Sequence, residues 1–161
     1  MVELDLFNWR DGIETTIDNY IDNIQVNLQN PTFEALNREV SASSGGVFNF
    51  DIKPGPAYAN KWYIILQGYT GNHPGFNMSA GVVHVPLNVD LWTDIALGLN
   101  PFWNNFYASL DGNGHSDASM STFGPQPVAQ GLALYAVVLV LKNPSNSVEF
   151  ATNPVSILFT P

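Results

Sequence analysis

The residues of this chain that could do chemistry are three histidines, fourteen acids and a rich set of aromatic rings: four Trp, six Tyr and ten Phe. His73 sits in Gly71-Asn72-His73-Pro74-Gly75, a turn sequence. His84 alternates with strand residues, and His115 follows Asp111-Gly112-Asn113-Gly114. No His-x-x-x-His or His-Glu-x-x-His spacing occurs, so a zinc hydrolase would lack its paired ligands on one helix face. No Gly-x-Ser-x-Gly elbow is present to carry a nucleophilic serine. Cysteine is absent, which excludes disulfides, thiol catalysis, Cys-type zinc sites and iron–sulfur clusters.

Glycoside hydrolysis would need two converging carboxylates. After residue 40 the acids are Asp51, Asp90, Asp94, Asp111, Asp117 and Glu149, mostly in turns or at outward strand positions, where solvated acids belong. A small hydrolase using Asp90 or Asp94 is the catalytic alternative, and a sandwich of this size rarely encloses the cleft it needs. Calcium is the one ion these loops could take. Asp111-x-Asn113-x-His115-x-Asp117 places ligand-type side chains at alternate positions, oxygen-bearing except for His115, as an EF loop begins. Its sixth place is Ser116 rather than Gly and its twelfth is Thr122 rather than Glu, so it departs from that template. No cofactor is expected.

The aromatic residues are more informative. Sugar rings present apolar C–H faces that stack on flat, exposed aromatic side chains while polar neighbours bind the hydroxyls. Trp92 and Trp103 lie in irregular segments rich in Asn and Asp, Asn88 to Asp94 and Asn100 to Asn105. Tyr107 points outward beside Ser109. These three are the expected ligand-binding residues, against the plainer reading that Trp92 and Trp103 plug the open ends of the fold. Trp62 shares parity with Ile64 and Leu66 and reads as the core tryptophan of a central strand.

The elements that must position them are strands. Period-2 alternation recurs in Val2-Leu4-Leu6, Ile24-Val26-Leu28, Phe48-Phe50-Ile52 and Phe106-Ala108-Leu110. Lys61 to Leu66 is apolar on both parities and predicts a central strand covered on both faces. Leu132 to Leu141 predicts the longest strand, turned back at Asn143-Pro144-Ser145-Asn146 into Val148, Phe150 and then Val155 to Phe159. Asp111 to Gly114 is the strongest turn signal, because Asp-Gly and Asn-Gly accept the positive φ of hairpin loops. Pro31 to Arg38 looks helical, and Leu87 to Leu99 could hold a helical turn. About seven strands at regular spacing predict an all-β fold, an antiparallel two-sheet sandwich of immunoglobulin or fibronectin III type with an extra N-terminal strand-containing segment.

Composition bounds the class. The 161 residues are 45% hydrophobic and 12% charged, enough apolar surface for a core and too much for a disordered acidic chain. A net charge of −9 argues against nucleic acid and against an anionic membrane surface as partners. Residues 1–40 carry eight acids and two arginines, and the remainder six acids and three lysines. Ser41-Ala42-Ser43-Ser44-Gly45-Gly46 between them reads as a linker, so the expected division is a strand segment and linker over 1–45 and a sandwich over 46–161. Met1 leads into Val2-Glu3-Leu4-Asp5, an acidic alternating stretch. The expectation is a piece of a longer secreted protein, with Met1 foreign to it.

Residues 46–161 resemble a C-terminal β-sandwich of large secreted bacterial multidomain proteins. The resemblance is carried by Tyr63 with Gly68, Gly71, Pro74-Gly75, Pro86-Leu87-Asn88 with Asp90, Asn100-Pro101-Phe102, Leu110-Asp111 with Gly114, and Asn153-Pro154-Val155. It implies a scaffold without catalytic residues. Thr15 to Val26, with Ile21-Asp22-Asn23-Ile24, is similar to the closing strand of bacterial jelly-roll domains, including carbohydrate-binding modules. In those modules calcium sits near that strand, which makes Asp18 and Asp22 a second candidate pair.

The expected function is a non-catalytic extracellular or cell-surface module, serving structure, attachment or the binding of a glycan or a neighbouring protein domain. The alternative is a self-assembling surface or filament subunit, a homo-oligomer in which residues 1–28 add as a strand to a neighbouring copy.

Overall fold

Alternate burial sets the architecture. Phe48, Phe50 and Ile52 are buried while Val47 and Asn49 between them are exposed. The computed structural model describes residues 31–98, 102–142 and 147–161. The chain divides into two units, 1–30 and 31–161, and every described residue belongs to the second. The expectations for Val2 to Leu6, Asp18 with Asp22 and Ile24 to Leu28 fall outside the described residues. So do Asn100-Pro101 and the turn at 143–146.

The described part is an antiparallel two-sheet sandwich. One sheet is built from β1 (Phe33–Ala35), β3 (Val47–Ile52), β9 (Ser116–Ser121) and β7 (Trp103–Asn104), side by side in that order. The other runs β2 (Glu39–Ser41), β12 (Val155–Thr160), β10 (Ala133–Lys142), β4 (Trp62–Gly68) and β8 (Tyr107–Ser109). In this second sheet β11 (Ser147–Ala151) also pairs with β10. These ten strands exceed the seven expected because several are only two or three residues long, below the length at which alternation can be read. A two-stranded excursion, β5 (Phe76–Met78) and β6 (Val83–Val85), leads into α1 (Leu91–Gly98), the one α-helix among the described residues, within the stretch expected to turn helically. Among the described residues no helix is long and apolar enough to cross a membrane.

Two stretches differ from the sequence reading. Pro31 to Arg38 holds β1, not a helix. Phe33 and Ala35 are buried on alternate positions, Phe33 stacks on Phe50 with centroids 5.5 Å apart, and the register pairs Phe33 with Ile52. Asn153 fixes this strand from outside the ladder: its amide donates to the Phe33 carbonyl, and its side-chain oxygen accepts from the Thr32 and Phe33 N–H groups. The chain then crosses to the other sheet, where β2 pairs in parallel with β12. Residues 31–45 are therefore part of the sandwich, and the boundary expected at 45/46 is corrected to that extent. The small residues there serve a close approach. Gly45 has φ +74°, and a Cβ on it would lie 2.3 Å from the Gly124 carbonyl oxygen.

Asp111 to Gly114 does form a tight turn, with the Gly114 N–H on the Asp111 carbonyl (3.0 Å) and Gly114 at φ +72°. The Asp111 carboxylate accepts the N–H groups of Asn113 and His115 at 2.8 Å each. The strands it joins do not pair with each other, however: β8 adds to β4 and β9 to β3, so the turn carries the chain from one sheet to the other.

The main core lies between the sheets and includes Phe33, Phe48, Phe50, Tyr63, Ile65, Trp103, Val138 and Phe159. A second apolar cluster covers the outer face of the larger sheet, where Leu66, Val137, Leu139 and Leu141 meet Val85 and Leu87. The β5–β6 excursion is the layer that provides this cover, so β4 and β10 are buried on both faces, as their unbroken apolar runs predict.

Candidate ligand-binding site

Strand β4 has two chemically different ends. At its far end Gln67 points into the core, 1% exposed, and must find partners there. Its side-chain oxygen accepts the indole N–H of Trp103 at 3.0 Å and that of Trp92 at 3.4 Å. Its amide donates to the Met120 sulfur at 3.3 Å. Trp103 is only 9% exposed and stacks on Phe50 at 5.0 Å, so it is a core plug and not a surface platform. Trp92 is half-buried: α1 swings it over this end of the sandwich, with its ring in the wall of a cavity of about 200 Å³.

The helix is held there by one carboxylate. Asp90 is the N-cap of α1 in a reciprocal capping box: its N–H donates to the Thr93 hydroxyl (3.2 Å), and its carboxylate accepts the Thr93 N–H (3.2 Å). The other carboxylate oxygen accepts the N–H groups of Tyr69 and Thr70 and the Thr70 hydroxyl, at 2.8–2.9 Å. Burial pushes this carboxyl up, but the donors from Thr70, Tyr69 and Thr93 outweigh it and hold the group below the usual aspartate value. Both oxygens of Asp90 are thus engaged in structure, and Asp94 stands exposed on the helix.

At the near end of β4 the surface is different. Trp62 does share a face with Ile64 and Leu66, but that face is the outer one, and the covering layer stops short of it. Trp62 is 41% exposed, and the core position expected for it is taken by Tyr63, which is fully buried. The Tyr63 hydroxyl hydrogen-bonds the Asn105 carbonyl (2.9 Å) and Ser116 (3.0 Å). Trp62 instead stacks on Tyr107, centroids 5.1 Å apart and planes 17° from parallel. Tyr107 is 52% exposed on the edge strand β8, as its outward parity predicts. Ser109 is the register partner of Trp62, and the Lys61–Glu149 ion pair (2.6 Å) follows immediately. The site residues Tyr107 and Trp62 are brought together; Trp92 and Trp103 meet each other at Gln67, at the opposite end of the strand.

A third cluster was not legible as a motif. Asp51 and Asp117 are register partners on β3 and β9, and His115 joins them, so three candidate metal-binding atoms lie within 4.8 Å of one another. Both Asp51 oxygens already have partners, His115 Nε2 at 2.6 Å and Lys53 Nζ at 2.5 Å. Burial raises the Asp51 carboxyl, but hydrogen bonds from Lys53 and His115 bring it net below its ordinary value. An ion here would have to displace Lys53. At Asp111, the candidate calcium loop, one carboxylate oxygen holds the turn together by accepting the N–H groups of Asn113 and His115. Compared with known proteins, the chain matches no family model, no curated protein and no solved structure.

Proposed function

We propose that this domain is a non-catalytic binding module of a larger secreted protein, and that its ligand surface is the Trp62–Tyr107 pair, with a glycan as ligand. The observation that carries this reading is the pair itself: two stacked rings, about half exposed, at the edge of a sheet where the apolar cover over β4 and β10 ends. Soluble domains rarely leave such rings in water without a use. An aromatic face offers the C–H side of a sugar ring an apolar partner, and Ser109 beside it offers a hydroxyl to the sugar's own. The acidic chain favours a neutral ligand over a polyanion. Because no ring in the pair carries charge, binding is expected to be insensitive to salt.

A glycan array, run with and without calcium, tests this. The expected result is retention of neutral glycans that is lost in Tyr107→Ala and in Trp62→Ala while the melting temperature stays close to the parent. An array without a single retained glycan, or retention unchanged in both variants, refutes the reading.

A further inference from the structure

We infer that the domain carries a second ligand site, independent of the Trp62–Tyr107 pair, in which the cavity beside Trp92 takes up the ring of a small apolar aromatic molecule. The cavity lies at the Gln67 end of the sandwich, between the last residues of β9 and the first of β10, and measures about 200 Å³. That volume selects the size of the guest. A cavity of about 150 Å³ with an apolar lining is enough for benzene. Pockets for whole drug-sized molecules run from about 300 to 1,000 Å³.

The lining selects its chemistry. Among the described residues no charged side chain lines the cavity, and its wall includes the carbon of Trp92, Phe102, Leu134 and Phe159. The polar side chains in the wall are already engaged. Thr122 Oγ1 accepts the Gly46 N–H and donates to the Gly124 carbonyl, the Gln126 amide donates to the Thr122 carbonyl, and Ser121 Oγ accepts the Phe123 N–H. The Trp92 indole N–H is directed to Gln67. A guest therefore meets chiefly dispersion and ring contacts, which favours an aromatic hydrocarbon over any molecule that must leave a polar group unpaired. The mouth agrees: Val128 is 94% exposed, and Phe123, 66% exposed, leans on Phe102 with centroids 5.7 Å apart.

Methyl NMR of protein labelled at methionine methyl carbons tests the site, with toluene as probe, because Met120 lines the cavity while Met78 lies on β5. Toluene is expected to shift the Met120 signal saturably in roughly the submillimolar to millimolar range and to leave Met78 still. Ala129→Phe, which fills the cavity from its half-buried position in the wall, is expected to weaken this response at least tenfold. Trp92→Ala, which enlarges the cavity, is expected to shift preference from toluene to naphthalene, and it serves should Ala129→Phe not fold. Tyr107→Ala, whatever it does to glycan retention, is expected to leave the Met120 response to toluene unchanged. A response that does not saturate, equal shifts at Met78 and Met120, or n-heptane binding more tightly than toluene would each overturn the inference.

Discussion

Trp62 and Trp103 are the same residue type in one sandwich, and their surroundings assign them opposite work. Trp103 packs between the sheets with its N–H on the side-chain oxygen of buried Gln67, an acceptor it shares with Trp92. Trp62 stands five residues before Gln67 on β4, stacked on Tyr107 and open to water. The lesson is that an aromatic ring here is structural where its N–H has a buried acceptor and available where it does not. The Trp103 ring is locked by a side-chain hydrogen bond in the core; the Trp62 ring rests on its contact with Tyr107.

Removing Trp103 is the severest way to break the contrast. Trp103→Ala is expected to cost about 3–5 kcal/mol in chemical denaturation, from lost packing against Phe50 and the cavity left behind. Gln67→Leu keeps the volume but strips two indole donors of their acceptor, and about 1–3 kcal/mol should go with them. An unchanged midpoint in urea would show that the two N–H groups find other partners. Asp90→Asn keeps an N-cap acceptor but sets an NH2 donor against the Tyr69 and Thr70 donors, which should loosen the helix that carries Trp92 by about 1–3 kcal/mol at neutral pH. Because the folded carboxyl titrates below its unfolded value, its contribution is complete above that unfolded value and fades as pH falls toward the folded one. The melting-temperature gap between parent and Asp90→Asn should therefore narrow on acidification through about pH 4. Trp62→Ala is the mildest: a double-mutant cycle with Tyr107→Ala should give a coupling of only about 0.5–1.5 kcal/mol. A loss as large as that of Trp103→Ala would mean that both ends of β4 are core.

Much of this was legible along the chain. Alternation at Phe48-Phe50-Ile52 and at Phe106-Ala108-Leu110 gave two inward faces and, by exclusion, the outward Tyr107. The unbroken apolar runs of β4 and β10 announced cover on both sides. Parity correctly grouped Trp62 with Ile64 and Leu66, but with both parities apolar it could not say which face was inner, nor where the β5–β6 layer would end. The three-residue β1 was too short for any period. The meeting of Trp92 and Trp103 at Gln67 spans 25 and 36 residues, and that of His115 with Asp51 spans 64, so neither leaves a local mark. The nearest sign was an acid, Asp51, at an outward position of an otherwise apolar strand.

Strand β10 belongs to both apolar clusters, sending Val138 and Val140 one way and Val137 and Leu139 the other. Neither layer can be pulled apart without stripping a flank of the same ten residues. The amide hydrogens of Val137 to Val140 should thus exchange with solvent only when the whole sandwich opens, and they should be the slowest in the domain.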